Sequence, residues 1–251
     1  MEISKTKISL IAGLQTRKMR QRHHLFVAEG EKCVLDTLGA FHLEHLVATP
    51  EWLADHPLQI DDMDAVLEAS PAVMRKISSL SNAPEVLAVF RIPAPHDTVP
   101  MPEKGALHLM LDGVQDPGNM GTIVRTADWF GFDRIYASKD TVDIFNPKTV
   151  QSTMGSLKRV EVIYCDLPTV IQESGIDNIY GTLLDGRDMF HSDLSDSGII
   201  IMGNEGKGLS KEVRALVNRP LLIPPFRKES HGESLNVAVA TAITLATFRN
   251  Q

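Results

Sequence analysis

The chain has 251 residues, of which 43% are hydrophobic and 23% are charged, a composition typical of soluble globular proteins. No apolar run approaches the roughly 18–20 residues of a membrane-spanning helix, and the first residues lack the apolar core of a secretory signal. The two cysteines, Cys33 and Cys165, are too few for a disulfide framework or a multi-cysteine metal site. We therefore expect buried, inert thiols, no membrane partner and a location in the reducing cytoplasm.

The net charge of −7 hides a segregation of charge along the chain. Residues 1–24 contain six Lys and Arg against one acidic residue, whereas residues 25–104 contain five Lys and Arg against thirteen Asp and Glu. A basic segment on an acidic chain can follow nucleic-acid phosphates locally. A solvated helix face is the alternative, and charge alone leaves both open.

The N-terminal module, residues 1–90, is predicted to be a small α/β unit. Its predicted helices cover residues 4–22, 31–39, 62–69 and 71–80. Its predicted strands are the short apolar runs Leu25–Ala28, 43–48 and Val86–Phe90. Residues 91–105 form a linker, because the four prolines in this stretch bar a helix and favour extended chain.

The C-terminal module, residues 106–251, alternates strands and helices more plainly. The predicted strands are Leu107–Leu111, Arg134–Ala137, Val160–Cys165, Ile179–Leu184, Ile199–Met202 and Leu221–Ile223. The predicted helices cover residues 120–130, 167–174, 210–217 and 235–248. This alternation predicts a mainly parallel sheet, and ligands bind such sheets at the carboxyl ends of the strands. The loops after Leu111, Met202 and Ile223 are therefore the candidate site.

The loop after Leu111 combines a tight turn with the start of a helix. Asn119 or Thr122 could cap this helix, and Arg125 follows Asn119 by about 1.7 turns. A phosphate could meet both the helix N-terminus and the guanidinium there. A capped helix with a solvated arginine is the structural alternative.

The loop after Met202 contains three glycines within six residues, Gly203, Gly206 and Gly208. Their spacing matches neither the phosphate loop GxxxxGK[ST] nor the dinucleotide fingerprint GxGxxG. Because Glu205 would repel a phosphate, a backbone cradle for a neutral or zwitterionic ligand fits better. A tight turn capped by Ser210 is the alternative.

The loop after Ile223 carries a charged stretch, residues 227–231, before Ser234 opens a helix rich in Ala and Val. Ser234 as a helix cap is the structural alternative to a functional role. His231 lies near Ser234, but no G-x-S-x-G elbow is present, so a nucleophilic serine is not indicated. The histidines show no metal-ligand spacing, and we expect no metal.

Taken together, the three loops resemble the SpoU family of RNA 2′-O-ribose methyltransferases, which includes TrmH-like proteins. The matching segments are Asn119-x-Gly121-x3-Arg125, Met202–Ser210 and Ser234–Val237, in this order. The resemblance covers the whole C-terminal module. In the N-terminal module, Phe26–Gly30 after the basic helix resembles the start of the family's L30e-like substrate-binding domain, a layout more typical of the rRNA-modifying branch.

The resemblance implies an α/β trefoil knot in the C-terminal module, a homodimer through the knotted domain, and S-adenosylmethionine as the methyl donor. It implies that backbone groups of Gly203, Ile223 and Leu235 hold this cofactor, and the prediction adds Leu111 and Asn204. The residues that match positions tied to catalysis and RNA binding are Asn119, Arg125, Glu205, Ser234 and Asn236.

The family proposal gives Arg125 a role in deprotonating the ribose 2′-hydroxyl. Because a guanidinium stays protonated in proteins, a bidentate clamp on a neighbouring phosphate is physically easier. Further RNA contacts are predicted for the Lys and Arg residues of the basic segment and of the charged stretch. They are Arg17, Lys18, Arg20, Arg22, Arg227 and Lys228.

The predicted function is methyl transfer to a ribose 2′-hydroxyl in RNA, with rRNA favoured. Three alternatives remain: tRNA as the substrate, a non-catalytic RNA-binding protein of ribosome assembly, and a nucleotide-dependent enzyme of Rossmann type. The missing glycine fingerprint opposes the last of these.

Overall fold

The structure is a computed structural model that describes residues 1–57, 63–226 and 234–250. The chain divides into two compact units: unit 1 is Met1–Pro95 with Asp143–Lys158, and unit 2 is His96–Val142 with Arg159–Gln251. Within the described ranges, no helix has both the length and the apolar character needed to cross a membrane.

The α-helices of the described residues are α1 (Lys5–Gly13), α2 (Arg17–His23), α3 (Glu31–Thr37), α4 (Pro50–Asp55), α5 (Pro71–Ile77), α6 (Pro117–Trp129), α7 (Pro147–Thr153), α8 (Leu167–Ser174), α9 (Lys211–Arg214) and α10 (Val237–Arg249). The strands are β1 (Leu25–Glu29), β2 (Leu43–Ala48), β3 (Val66–Glu68), β4 (Val86–Arg91), β5 (Leu107–Asp112), β6 (Arg134–Ser138), β7 (Glu161–Cys165), β8 (Ile179–Asp188), β9 (Gly198–Gly203) and β10 (Arg219–Leu222).

Unit 1 is built on a four-stranded mixed sheet in the order β1-β4-β2-β3. Side chains of β1 alternate between its two faces, as the pleat of a strand requires. Leu25 and Val27 belong to one hydrophobic core, together with residues of α1 and α5. Phe26 points the other way and packs at 4.7 Å, centroid to centroid, against the ring of Phe145.

The core of unit 1 therefore includes a segment that is distant in the chain, residues 143–158. Its first residue, Asp143, binds the guanidinium of Arg20, which is 1% exposed. Nε and Nη2 of Arg20 donate to Asp143 Oδ2 at 3.0 and 2.6 Å, and Nη1 donates to the carbonyls of Leu14 and Gln15. A buried charge needs such partners, because an unpaired one is costly to desolvate.

Several predicted elements of unit 1 differ from the observed ones. The predicted helix 4–22 is two helices, because Leu14 ends α1 and Thr16 caps α2. The predicted helix 62–69 is wrong over its described part, where a 3₁₀ turn leads into β3. The helices α4 and α7 were not predicted. Each spans only six or seven residues, and such short helices leave little periodicity to detect.

Unit 2 confirms the predicted parallel α/β architecture. Its six strands lie in the order β10-β8-β9-β5-β6-β7, and every pairing is parallel. At the end of the β5–β9 pair, Asp112 lies opposite Gly203. The loops that follow these two strands therefore start side by side, as the rule for parallel sheets predicts.

Both cysteines are buried, Cys33 in unit 1 and Cys165 in unit 2. Burial raises the pKa of each thiol to about 11. The prediction that both thiols are buried is confirmed, and a raised pKa is what an inert thiol requires.

Candidate functional site

The first component of the site is the N-terminal turn of α6. Asp116 caps this helix by accepting a hydrogen bond from the Asn119 backbone N–H at 2.8 Å, and Pro117 occupies the first helical position. The prediction that Asn119 or Thr122 caps this helix is therefore wrong, because the helix begins earlier, at a place where Asp is favoured at the cap and Pro at the next position. The side chain of Asn119 is thereby held at the carboxyl end of the sheet.

The amide of Asn119 links the other two loops. Its Nδ2 donates to Glu205 Oε1 at 3.0 Å, and its Oδ1 accepts from Asn236 Nδ2 at 2.9 Å. The Ser234 hydroxyl donates to the Glu205 carbonyl at 3.5 Å. Four of the five predicted catalytic residues thus form one hydrogen-bonded chain, which we call the loop-linking chain: Ser234, Glu205, Asn119 and Asn236.

Glu205 is the negative charge of this chain and is half-buried. Besides the Asn119 amide, its carboxylate accepts long hydrogen bonds, both 3.4 Å, from the backbone N–H groups of Gln115 and Asp116. Asn236 in turn caps α10, because its Oδ1 accepts from the N–H groups of Ala238 and Val239. The alternative of Ser234 as the cap is thereby excluded. One side chain that connects the loops, Asn236, therefore also starts a helix, whereas α6 starts at Asp116.

Arg125, the fifth predicted residue, is placed differently. It lies on α6 about 9 Å along the helix axis from Asn119, and its side chain is exposed. Within the described ranges it forms no hydrogen bond or ion pair with the loop-linking chain or with any carboxylate. Its guanidinium is free to bind an anionic ligand from solvent.

The glycine loop, residues 203–208, is closed on itself. Asn204 and Gly208 exchange backbone hydrogen bonds of 2.9 and 3.0 Å, and Asn204 Oδ1 accepts from the N–H groups of Gly206 and Lys207. A Cβ on Gly203 would lie 2.5 Å from the carbonyl carbon of Gly208, so only glycine fits there.

Two side chains attach the glycine loop to the end of β5. Asn204 Nδ2 donates to the Gly113 carbonyl at 2.7 Å, and the buried Asp112 accepts from the Ser210 N–H at 2.6 Å through Oδ2. Asp112 was not among the predicted site residues. The sequence did contain a signal for Asp112, because a charged residue directly after an apolar strand indicates a specific role at the strand end.

A cavity of about 980 Å³ lies beside the glycine loop in unit 2. Of the predicted cofactor residues, Gly203, Asn204, Ile223 and Leu235 line it. Leu111 does not line it, because its side chain is fully buried within β5. A central strand of a parallel sheet is buried on both faces, so the strand pattern alone does not show which of its residues reach a cavity.

One wall of this cavity was missed by the sequence analysis. It is formed by Thr182–Asp185 of β8, and Leu221–Pro225 also contributes to the lining. Asp185 pairs there with Arg214 of α9, and this hydrogen bond holds the pKa of the Asp185 carboxyl below its usual value. The pattern showed only a strand at this place, because its departure from the ladder has no local signature.

The predicted RNA contacts fall into three groups. Arg17, Lys18 and Arg22 are exposed on α2. Arg20 is not available to RNA, because it is buried and bound to Asp143, so its assignment as an RNA contact is wrong. Arg20 lies in a basic run, from which exposure is expected. One face of a helix nevertheless points inward, so a single residue of such a run can be buried. Arg227 and Lys228 lie outside the described residues.

Comparison with known proteins defines the class. The SpoU rRNA Methylase family matches residues 106–246, and the MRM3-like substrate binding domain matches residues 5–88. The chain belongs to the SpoU rRNA methylase family.

Individual relatives cover nearly the whole chain. The 23S rRNA (guanosine(2553)-2′-O)-methyltransferase RlmP of Bacillus subtilis is 31% identical over 243 residues, which are 94% of this chain and 93% of that protein. A solved structure of a TrmH-family protein from Porphyromonas gingivalis has a TM-score of 0.86 and 36% identity, with 100% and 99% of the two chains covered. The AdoMet-bound rRNA methyltransferase from Sinorhizobium meliloti has a TM-score of 0.83 and 31% identity, with 100% and 97% covered.

Proposed function

We propose that this protein transfers a methyl group from S-adenosylmethionine to the 2′-hydroxyl of a ribose in RNA, with rRNA as the substrate. The observation that carries the proposal is the loop-linking chain, which joins the three family segments at the edge of one cavity. The relative from Bacillus subtilis is named as an rRNA 2′-O-methyltransferase, and the one from Sinorhizobium meliloti is an rRNA methyltransferase that holds AdoMet, which supports both parts of the proposal.

The cavity fits the proposed cofactor in volume and in chemistry. About 980 Å³ is ample for a nucleoside joined to an amino acid. Its lining combines apolar side chains, such as Leu209 and Val237, with the backbone of the glycine loop and the charged residues Asp185 and Arg214. Backbone groups suit an adenine edge, and paired opposite charges suit a zwitterion. When bound, S-adenosylmethionine supplies a methyl group already activated on a sulfonium.

The remaining task of the protein is to orient the ribose and to stabilise the charge that develops on its oxygen. Asn119 and Asn236 provide fixed amide groups for orientation, because each is held at both ends by hydrogen bonds. Arg125 is assigned to a phosphate next to the target ribose, where its planar fork can bind two oxygens. A positive charge at this place lowers the free energy of a developing alkoxide.

RNA recognition is assigned to the exposed cations of α2, Arg17, Lys18 and Arg22. They belong to the part of unit 1 that matches a substrate binding domain. Lys and Arg neutralise phosphates and release counterions, so binding through this helix depends strongly on salt. Which nucleotide is selected depends on RNA shape, which these contacts do not encode.

A homodimer through unit 2 and a trefoil knot are part of the proposal. The helices α6 and α10 pack against each other and expose apolar side chains, with Trp129 85% and Val239 49% exposed. Exposed apolar surface of this kind is typical of an interface. Light scattering on the wild type and on Trp129→Glu tests the dimer: the variant should be a monomer.

A close crossing of the chain at Gly186 and Leu221 supports the knot.

The deciding experiment is methyl transfer from labelled S-adenosylmethionine to purified rRNA and tRNA pools from cells that lack this gene. We expect labelled methyl groups on ribose in the rRNA pool and none in the tRNA pool. Label only in tRNA would keep the enzyme class and overturn the substrate. Absence of both label and cofactor binding would overturn the proposal in favour of a non-catalytic RNA-binding protein.

A further inference from the structure

The cavity wall on β8 exists because β8 leaves the sheet for five residues. Tyr180 and Gly181 pair with Arg219 and Pro220 of β10, and the next pair along β10 joins Leu221 to Arg187. Residues 182–186 therefore have no partner on β10 and project from the ladder. We call this stretch the β8 bulge; its first four residues line the cavity.

The β8 bulge ends at a crossing of two backbones. A Cβ placed on Gly186 would lie 2.4, 2.6 and 2.7 Å from the carbonyl carbon, oxygen and nitrogen of Leu221. All three are backbone atoms, so no rotation of a side chain could relieve the contact. Any side chain at position 186 must push the two backbones apart.

The two backbones that cross there both belong to segments that line the cavity. The β8 bulge forms one wall and Leu221–Pro225 forms a second, and the glycine loop completes the lining beside them. Elsewhere the bulge is attached through side chains: Leu183 packs against the core of unit 2, Asp185 pairs with Arg214, and Thr182 Oγ1 donates a hydrogen bond of 3.7 Å to Met202 Sδ. The Gly186 crossing differs from these contacts because it brings backbone against backbone.

We propose that Gly186 is a positioning residue, whose missing side chain sets the separation of the cavity walls and thereby the affinity for the cofactor. The inference rests on the proposed function, since it takes S-adenosylmethionine as the occupant of the cavity. Gly186 itself contributes no functional group to methyl transfer.

The test compares Gly186→Ala with Gly181→Ala in the full-length protein. A Cβ on Gly181, on the same strand, would meet side-chain atoms of Val217 and Leu209 at 2.8 and 3.0 Å, which can move. Gly181 itself does not line the cavity, although Leu209, which its Cβ would displace, does. Gly181→Ala is therefore a stringent control, because it adds a methyl group to β8 and moves a lining side chain without moving a backbone. Titration calorimetry with S-adenosylmethionine gives affinity, and thermal unfolding without cofactor reports folding.

We expect Gly186→Ala to bind S-adenosylmethionine at least tenfold more weakly than the wild type, with Gly181→Ala within threefold. At saturating cofactor, Gly186→Ala should keep most of its kcat, because the loop-linking chain is untouched. Equal affinity of Gly186→Ala and the wild type would overturn the inference. An equal loss in Gly181→Ala would overturn it as well, since any crowding of β8 would then suffice.

Hydrogen exchange on the wild type covers the case in which Gly186→Ala does not fold. Adding S-adenosylmethionine should slow amide exchange at Gly186 and Arg187, which do not line the cavity, as well as in the lining segments 182–185 and 221–223, because the crossing couples them. Protection confined to residues that line the cavity would overturn the inference. A wild type that binds no S-adenosylmethionine would instead refute the proposed function, which distinguishes the two failures.

Discussion

Asn236 Nδ2 donates a 2.9 Å hydrogen bond to Asn119 Oδ1, although 117 residues separate the two asparagines in the chain. The same two side chains hold the start of α10 and the carboxylate of Glu205. Each asparagine can satisfy both partners only because an amide has a donor and an acceptor end. The orientation of one amide therefore determines the orientation of the other.

Asn236→Asp separates the capping role of this residue from its role in the loop-linking chain. Aspartate caps a helix as well as asparagine does, so the free energy of unfolding should change by less than about 0.5 kcal/mol. A carboxylate cannot donate to Asn119, so the rate of methyl transfer should fall at least tenfold. Asn146→Asp, at the cap of α7, is the control and should retain the full rate. Wild-type transfer by Asn236→Asp would show that the link to Asn119 is dispensable.

Arg125→Ala should lower the rate of methyl transfer by about 10²–10³, by analogy with the removal of one transition-state donor. Because its side chain is exposed and has no partner among the described residues, stability should change by no more than about 0.5 kcal/mol. Calorimetry should show unchanged cofactor affinity. Arg125→Lys should recover little, since an ammonium lacks the bidentate fork.

The exposed Arg219, at the start of β10, supplies the control for Arg125. Arg219→Ala should leave the rate near wild type. A similar loss in both variants would mean that positive charge in general, rather than the position of Arg125, supports the reaction.

Asp143→Asn should destabilise unit 1 strongly, because it leaves the Arg20 guanidinium buried without its counter-charge. Breaking a buried ion pair costs about 3–5 kcal/mol, which urea denaturation can measure. Glu44→Gln breaks the exposed pair with Arg91 in the same unit and should cost less than about 1 kcal/mol. If Asp143→Asn and Glu44→Gln lower the free energy of unfolding equally, burial does not make the Arg20–Asp143 pair more important for stability than an exposed pair.

Arg17→Ala, Lys18→Ala and Arg22→Ala, combined in one variant, should weaken RNA binding and its dependence on salt. Each lost phosphate contact should reduce the slope of log affinity against log salt concentration by about 0.7–0.9. Filter binding at several salt concentrations gives this slope. Lys32→Ala is the control, because Lys32 is exposed but already paired with Asp36. An unchanged slope in the triple variant would exclude α2 from the RNA interface.

The two thiols should resist alkylation in the folded protein. With each pKa raised to about 11, roughly one thiol in a thousand is ionised at pH 8, and this fraction grows tenfold per pH unit below the pKa. Iodoacetamide should therefore modify neither cysteine at pH 8 within the time that modifies both in denaturant. Rapid modification of Cys33 or Cys165 in the native protein would contradict their burial.

The periodicity of the sequence predicted much of unit 2 correctly. Apolar runs such as Ile199–Met202 are buried parallel strands, and the alternation with helices indicated their arrangement. The ends of those strands located the three loops, and the resemblance to the SpoU family selected Asn119, Glu205 and Asn236 within them. Local signals sufficed for the strands because their burial leaves a continuous apolar run in the sequence.

The residues that were misassigned depend on contacts between distant segments. Arg20 sits in a basic run and is nevertheless buried, because Asp143 comes from a segment more than a hundred residues later. The β8 bulge lines the cavity because β10 crosses it at Leu221. The sequence around Arg20 gives no sign of Asp143, and the sequence of the β8 bulge gives no sign of Leu221.

The sequence by itself determined most of the strands and the three family segments, since each follows from the propensities of residues close together in the chain. Only the tertiary structure decided that Asp116 and Asn236 cap α6 and α10, that Asp143–Lys158 completes the core of unit 1, and that Gly186 lies against the backbone of Leu221. These features depend on which backbones meet in space. Close packing allows a single arrangement of them, and no periodicity along the chain encodes it.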